Sequence, residues 1–352
     1  MSQNRFFHFV DEGLPSPPRD LADLVAFFEE GDGRERIRWT LRDSIDEVLD
    51  GQRTGRWAYQ HLTKTERTYL GTAVEVNMTR EFGIADGESL DWRIAGQEVD
   101  CKFSKDWGNW SIPMEMYLCA DHGEQSGTAD HPALLLWADD DRSEWAAGVT
   151  RIADEYLAFK QDGSGDRSYN RDNKRVLSKH GLVNIYWLWG GVQNDLPENA
   201  LLQMSQTSRE RVFSSVRSGQ ARVNELLRTQ NGRIVTRATI ATVAQQDDAM
   251  KRARDARLAK HLPKEGFLVI GHQETDPYVA RALGFPPPAK GEILPVAVRV
   301  VDESHSGPKA FLVDRWWTPC EPTDATPHAP LREEYKKQDR ASILAGAAEA
   351  TS

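Results

Sequence analysis

Asp91, Asp100 and Lys102 lie in the stretch LDWRIAGQEVDCKFS, residues 90 to 104. Taken in steps of two, Leu90, Trp92, Val99, Cys101 and Phe103 form one apolar face, and Asp91, Asp100 and Lys102 fall on the other. A two-residue turn at Ala95-Gly96 predicts a hairpin in which Trp92 faces Val99 and Asp91 faces Asp100. Like charges directly opposite one another destabilise a sheet. At about 5 Å and an effective dielectric of about 20 the repulsion is about 3 kcal/mol. Exposure to water, protonation of one member or a bound cation would each relieve it. A cation gives the pair a chemical use, because two carboxylates are hard oxygen ligands suited to Mg2+, which takes further oxygens from water and phosphate. Such an ion polarises a phosphodiester and activates water. Lys102, on the same face, is placed to orient that water or to offset charge on the phosphate oxygens. The pattern alone is weak, since any amphipathic strand can carry acid-x-lysine on a solvated face.

These side chains need elements to hold them. TKTERTYLGTAVEVNMTREFG predicts a helix opened by a Thr63-x-x-Glu66 capping box and closed by Gly83. Tyr69, Leu70, Ala73, Val74 and Met78 have helical spacing, and Glu75 sits near the middle. Glu75 completes the ligand set if this helix packs on the hairpin. Upstream, PRDLADLVAFFEE and ERIRWTLRDSIDEVLDG read as helices, the second ending at Gly51 as its C-cap. Downstream, NWSIPMEMYLC, PALLLWADD and WAAGVTRI read as strands. The unbroken run LLLW marks a strand covered on both faces. A mixed α/β domain follows, with its boundary expected in the polar stretch KQDGSGDRSYNRDNKR, residues 160 to 175.

Beyond it, VNIYWLWGG reads as a strand and SRERVFSSVRSGQARVNELLR as one or two basic helices. TRATIATVA, a turn at Gln245 to Asp247, and DAMKRARDARLAKHL have helix-turn-helix proportions. FLVIG and ILPVAVRVV are candidate wing strands. TDPYVARALG is a short helix with Asp276 at its N-cap and Gly284 past its end. The whole chain carries a net charge of −10. Ser208 to His261, however, holds 12 Lys/Arg against 5 Asp/Glu, so this span is +7 and the remainder −17. That asymmetry suggests a nucleic-acid-binding module joined to something else. Lys251, Arg254 and Arg257 recur at three-residue spacing with Arg252 beside them, where a recognition helix would meet the major groove. Arginine there pairs with guanine, lysine more often serves a phosphate, and Gln245 and Gln246 would read adenine or bind backbone. The plainer reading is a solvated basic face.

A length of 352 residues suits about two domains. Three cysteines (Cys101, Cys119, Cys320) without CxxC spacing argue against a disulfide scaffold and for a reducing, cytoplasmic setting. MSQNRFFHFVDEG does not read as a signal peptide, and no apolar run is long enough for a bilayer, so no membrane partner is expected. VLDG, residues 48 to 51, has the outline of the KxDG motif of nucleotidyl-transferring ligases. Val48 replaces the nucleophilic lysine, which excludes covalent adenylation there and speaks against a ligase or topoisomerase.

LRDSIDEVLDGQRTGR, TKTERTYLGTAVE, DWRIAGQEVDCKFS, WSIPMEM, NRDNKRVLS, SGQARVNELLR and ATVAQQDDAMKRAR together resemble the NaeI-like family of type IIE restriction endonucleases. The similarity runs in order from about residue 20 to RWWT at 315 to 318. It implies a restriction-endonuclease-like mixed-sheet core followed by a winged-helix DNA-binding domain like that of the catabolite activator protein. On this basis residues 10–170 are expected to form the catalytic domain, 171–178 a linker, 179–322 the DNA-binding effector domain and 323–352 a loosely held tail. The resemblance maps metal-binding and catalytic positions onto Glu75, Asp91, Asp100 and Lys102, with Mg2+ as cofactor. Leu90 departs from the proline that precedes the first aspartate across the wider nuclease superfamily. The resemblance further implies a homodimer that binds two copies of a palindromic, GC-rich DNA site, with GCCGGC the candidate, and a cognate methyltransferase as functional partner. The competing reading is a DNA-binding regulator with an inactive nuclease-like half, against which the intact Asp91, Asp100 and Lys102 count.

Overall fold

The computed structural model describes residues 16–117, 130–214 and 216–345. The chain divides into two units, the first comprising residues up to Val48 and Tyr59–Asn199, the second Leu49–Ala58 and the residues from Ala200 onward. The first unit holds helices α1 (Ala22–Glu29) and α2 (Gly33–Leu49, whose last residue belongs to the second unit). The short helix α3 (Gly51–Thr54) belongs wholly to the second unit. Then α4 (Lys64–Phe82) starts as expected: Thr63 accepts from the Glu66 amide, the Glu66 carboxylate takes the Thr63 N–H, and left-handed Gly83 ends the helix.

Strands β1 (Ala85–Asp86), β2 (Trp92–Ile94), β3 (Gln97–Ser104), β4 (Pro132–Asp139) and β5 (Glu144–Arg151) follow, then helix α5 (Lys179–Val183) and strand β6 (Tyr186–Trp187). They form one sheet in sequence order, antiparallel throughout except where β3 and β4 run parallel. This is the mixed α/β core expected from the sequence. The LLLW run lies in β4 with every side chain buried. At the hairpin, Ala95 (φ +50°) and Gly96 (φ +80°) are both left-handed, the conformation a two-residue turn needs to match strand twist. Trp92 pairs with Val99 as predicted.

Two strand readings shrink. NWSIPMEM contributes a single bridge, Ile112 to Arg175, and a 3-10 turn at Met114–Met116, while Cys119 lies outside the described residues. VNIYWLWGG yields only the two residues of β6 before a 3-10 turn at Leu188–Gly190. The boundary also moves. Residues 160–175 and the linker expected at 171–178 sit inside the first unit, bridged through Phe159–Arg167, Ile112–Arg175 and Leu157–Leu177. Buried Arg175 pairs with Asp154 and lies over the rings of Tyr117 and Phe159. The stretch is polar because it is a solvated loop pinned by ion pairs, and composition alone does not separate that from a linker.

The second unit contains α6 (Ala200–Gln203), α7 (Gln206–Val212), α8 (Gly219–Thr229), α9 (Arg237–Ala244), α10 (Ala249–Asp255), β7 (Phe267–Ile270), α11 (Asp276–Ala282), β8 (Leu294–Val301), β9 (Ala310–Leu312), β10 (Arg315–Pro319), α12 (Arg332–Tyr335) and α13 (Arg340–Leu344). Its four strands form an antiparallel sheet in the order β7-β8-β10-β9, so FLVIG and the ILPVAVRVV segment are neighbours. Leu226, Ile240, Val243, Ala253 and Phe267 share one buried cluster beneath the helices.

Gly51 does not cap α2. Asp50 is the left-handed residue (φ +47°), and Gly51 begins α3, which lies against α9 so closely that a Cβ would fall 2.0 Å from Thr242 Oγ1. Asp276 is likewise not an N-cap, a position Thr275 takes. Its carboxylate is wholly buried, accepting from the Gly271 amide at 2.8 Å and facing Arg257 at 3.3 Å and Arg332 at 3.1 Å. Arg332 belongs to the stretch expected to be a loose tail. Through residue 344 that stretch instead packs: Tyr335 and Ile343 are buried with Leu268, Val279 and Leu312. A few apolar residues on short helices suffice for this, too few to show as a periodic pattern. No helix among the described residues is long and apolar enough to cross a membrane.

Ile343→Ala should therefore cost about 2–5 kcal/mol, as for other fully buried aliphatic side chains. Chemical denaturation would register it as a lower unfolding midpoint, and an unchanged midpoint would return residues 323–345 to the loose-tail description.

Candidate active site

The hairpin brings three of the four chemically competent side chains together. At residue 100, β3 exchanges one neighbour for another: its first residues pair with β2, whereas Asp100–Ser104 pair with β4. Asp91 lies just before β2 and places a carboxylate where that strand's ladder stops. Asp91 Oδ2 accepts the Cys101 N–H at 2.8 Å. Lys102 Nζ forms an ion pair with Asp100 Oδ2, lies 3.7 Å from Asp91 Oδ2 and donates to the Cys101 carbonyl at 3.2 Å. The sheet thus sets Asp91 and Asp100 about one ammonium group.

The opposite face explains why the hairpin is held there. Trp92 is buried against Phe28, and its indole N–H donates to Thr79 Oγ1 of α4 at 2.7 Å. Glu75 is one turn before Thr79 on the same helix, so the bond that docks Trp92 also brings Glu75 toward the pair. Glu75 feels both Asp91 and Lys102: its carboxyl is raised by burial first and by Asp91 second, with Lys102 opposing.

Burial dominates the electrostatics. Asp100 is only 4% exposed. Burial drives its carboxyl upward against the pull of Lys102, Asp91 adds to the rise, and its pKa reaches about 7. Burial works against the Lys102 ammonium too, but Asp100 and Asp91 outweigh it and its pKa is raised. Cys101 is buried and its thiol is pushed well above its ordinary range, which leaves it no role as a nucleophile.

Three carboxylates and one ammonium leave two negative charges unbalanced when all are ionised. That deficit and the all-oxygen acidic donor set fit a divalent hard cation, which Asp91 and Asp100 could hold, with Glu75 within electrostatic reach of Asp91. Among the described residues no three acidic, histidine or cysteine side chains already converge at ligand spacing, so the pair is assembled and the third position is not.

One residue of this face escaped the sequence reading. Glu98 shares strand parity with Asp100 and Lys102, and its carboxylate accepts backbone N–H groups from Glu88, Ser89 and Leu90, at 3.0 to 3.1 Å. Those three bonds hold its pKa down to about 2. The available signals were its alternation with Asp100 and the glycine at 87 in the loop that it grips.

In the second unit, α9 ends at the left-handed Gln245 (φ +50°), and α10 begins four residues later at Ala249. Gln245 and Gln246 are exposed, and the Gln246 carbonyl accepts from Gln52 Nε2 at 3.0 Å. Lys251 and Arg254 are exposed and Arg252 half-buried; Lys251 and Arg252 lie beside Asp255, and Arg254 beside Asp248. Arg257 does not join them. It turns inward to Asp276, where burial lowers its pKa, so it is a structural cation and not a surface contact. The surface group is therefore Lys251, Arg252 and Arg254. Val48 is buried, as its reading as a core residue required.

Because the folded-state pKa of Asp100 lies above its ordinary 3.8, folding takes up a proton between about pH 4 and 7, and its contribution to stability falls as pH rises through that window. Asp100→Asn should stabilise the metal-free protein at pH 8 by on the order of 2 kcal/mol, allowing for the partner that Lys102 loses. The gain should shrink toward pH 5, where the wild-type carboxyl is already protonated. Calorimetry in EDTA at both pH values would show it, and equal destabilisation at both would mean that Lys102 fully compensates the charge.

The family model described as restriction endonuclease NaeI matches residues 24–327. The type II restriction enzyme NaeI of Lentzea aerocolonigenes is 39% identical over 327 residues, covering 87% of this chain and 96% of that enzyme. A match of this length spans both units, the carboxylate pair and the helices around Gln245. The chain belongs to the NaeI family of type II restriction endonucleases.

Proposed function

We propose that this enzyme makes a Mg2+-dependent double-strand cut at a palindromic, GC-rich DNA site, for which GCCGGC is the candidate, in the catalytic centre formed by Asp91, Asp100, Lys102 and Glu75. The observation that carries the reading is the Asp91–Asp100–Lys102 cluster, half-buried about a buried Asp100, in a chain of this family. Type II restriction endonucleases generally use a divalent metal ion, and the charge deficit around Asp100 supplies the reason here. Asp91 and Asp100 would hold the ion, with Glu75 as the third carboxylate, and when bound it supplies polarisation of the phosphodiester. Lys102 has the position to orient the attacking water and to meet negative charge growing on the phosphate oxygens. Burial of Asp100 strengthens its own interactions there by excluding water.

The second unit would bind an effector copy of the site as a winged-helix module, with Lys251, Arg252 and Arg254 on phosphates or bases and Gln245 and Gln246 at the turn. A homodimer matches the symmetry of a palindrome, and a cognate methyltransferase would protect the host site.

Incubation with a GC-rich plasmid and Mg2+, with EDTA as the control, followed by sequencing of the ends, tests the reading. Discrete fragments sharing one end sequence support it, and DNA bound but uncut, with genomic DNA also uncut, favours the inactive-nuclease regulator. Asp100→Ala should abolish cleavage and leave binding on a gel largely intact; normal cutting by this variant would remove Asp100 from the centre. Replacing Arg252 and Arg254 together with alanine should weaken DNA binding and flatten its log–log salt dependence by about 1 to 2, as expected for lost phosphate contacts. An unchanged slope would leave that helix a solvated basic face.

A further inference from the structure

The segment leading into Asp91 is wrapped around one side chain. Three consecutive amides, those of Glu88, Ser89 and Leu90, donate to the Glu98 carboxylate: Glu88 to both oxygens at 3.1 Å, Ser89 and Leu90 to Oε2 at 3.0 Å. The Gly87 N–H closes the loop onto the Asp91 carbonyl at 3.3 Å. Nothing larger than glycine fits at 87, where a Cβ would lie 2.3 Å from the Leu90 carbonyl oxygen and 2.7 Å from Glu98 Oε2. The Leu90 bond is also one that a proline at this position could not make. Glu98 belongs to β3, where its backbone is in register with Arg93 of β2.

We propose that Glu98 is a positioning residue for the catalytic pair, acting through the 87–90 loop to fix where the Asp91 carboxylate stands against Asp100 and Lys102. The Cys101 amide meets the Asp91 carboxylate from β3, and the 87–90 loop sets where the Asp91 backbone enters β2. The Glu88 and Ser89 amides lie in an exposed stretch, so water can satisfy them when Glu98 is removed. Folding then loses little, whereas Asp91 keeps its bond from Cys101 and loses the anchor of the loop that leads into it. Backbone amides grip an anion with short-range directionality, and a carboxylate on a strand of the same sheet ties that grip to the register of Asp100.

The inference rests on Asp91 and Asp100 holding a divalent ion, and the test separates the two ideas. Mn2+ binding to the full-length protein without DNA would be followed by electron paramagnetic resonance of the free ion, for wild type, Glu98→Ala, Glu98→Gln and Glu88→Gln. Glu98→Ala should weaken Mn2+ binding by about 10- to 100-fold, the range for residues that orient metal ligands. Its thermal midpoint should stay close to wild type, and raising Mg2+ should recover part of its cleavage. Glu98→Gln keeps one acceptor oxygen and should fall between the two. Glu88→Gln alters a loop side chain outside the grip and should bind Mn2+ as wild type does. Wild-type Mn2+ affinity in Glu98→Ala overturns the positioning role. If Glu98→Ala fails to fold, a folded Glu98→Gln decides: weakened binding supports the role and unchanged binding overturns it. Absence of Mn2+ binding in the wild type overturns the metal site beneath the inference, and the inference with it.

Discussion

Two aspartates gathered about a single lysine are the constraint on which the first unit is built. A sheet avoids such a pair unless something else holds the strands together. Here the compensation comes from the other face of the hairpin, where Trp92 is buried and bonded to Thr79, and from β4, which takes over pairing with β3 at the residue where β2 withdraws. The exchange of neighbours opens room for Asp91 to turn its carboxylate onto the Cys101 amide. Stability is sacrificed locally, as the upward push on Asp100 and Glu75 records.

The second unit spends its positive charge differently from what a simple count implies. Arg222 donates to the Val243 and Ala244 carbonyls at the end of α9, and Arg209 to the Leu201 carbonyl with its guanidinium over Trp57. Arg228 pairs with Glu265, and Arg257 with Asp276. Part of the local +7 is therefore spent on helix-end carbonyls and on acids within the unit, among them the buried Asp276. The cations left at the surface of α10 are few, each beside an acid on or at the start of the same helix, which suits adjustable contacts better than a broad electrostatic field. The segment Leu49–Ala58 adds a further element to this unit, since Gly51 and Gly55 lie against Thr242 and Gln245 where any side chain would collide.

The parts of this architecture that were legible in the sequence are those governed by near neighbours. The capping box at Thr63, the close at Gly83 and the register of the Ala95-Gly96 hairpin depend on residues a few positions apart, and the strand and helix periods exposed the acidic face of β3. Less was legible where a residue's role depends on a distant partner. Arg257 reads as one of a row of surface cations until Asp276 and Arg332 close over it. Residues 160–175 read as a linker until Arg175 inserts between Tyr117 and Phe159. The tail reads as polar because Tyr335 and Ile343 are isolated in the sequence and clustered only in space.

The sequence by itself determined which side chains could do chemistry and which face of the hairpin they share, because alternation along a strand is a property of the backbone. Tertiary structure alone decided their working relations. It chose Thr79 as the partner of Trp92, brought Glu75 within electrostatic reach of Asp91, buried Asp100 enough to shift its titration, and folded the 87–90 loop onto Glu98. Each of these depends on how much water is excluded and on which distant element does the excluding, and neither quantity is encoded in the spacing of residues along the chain.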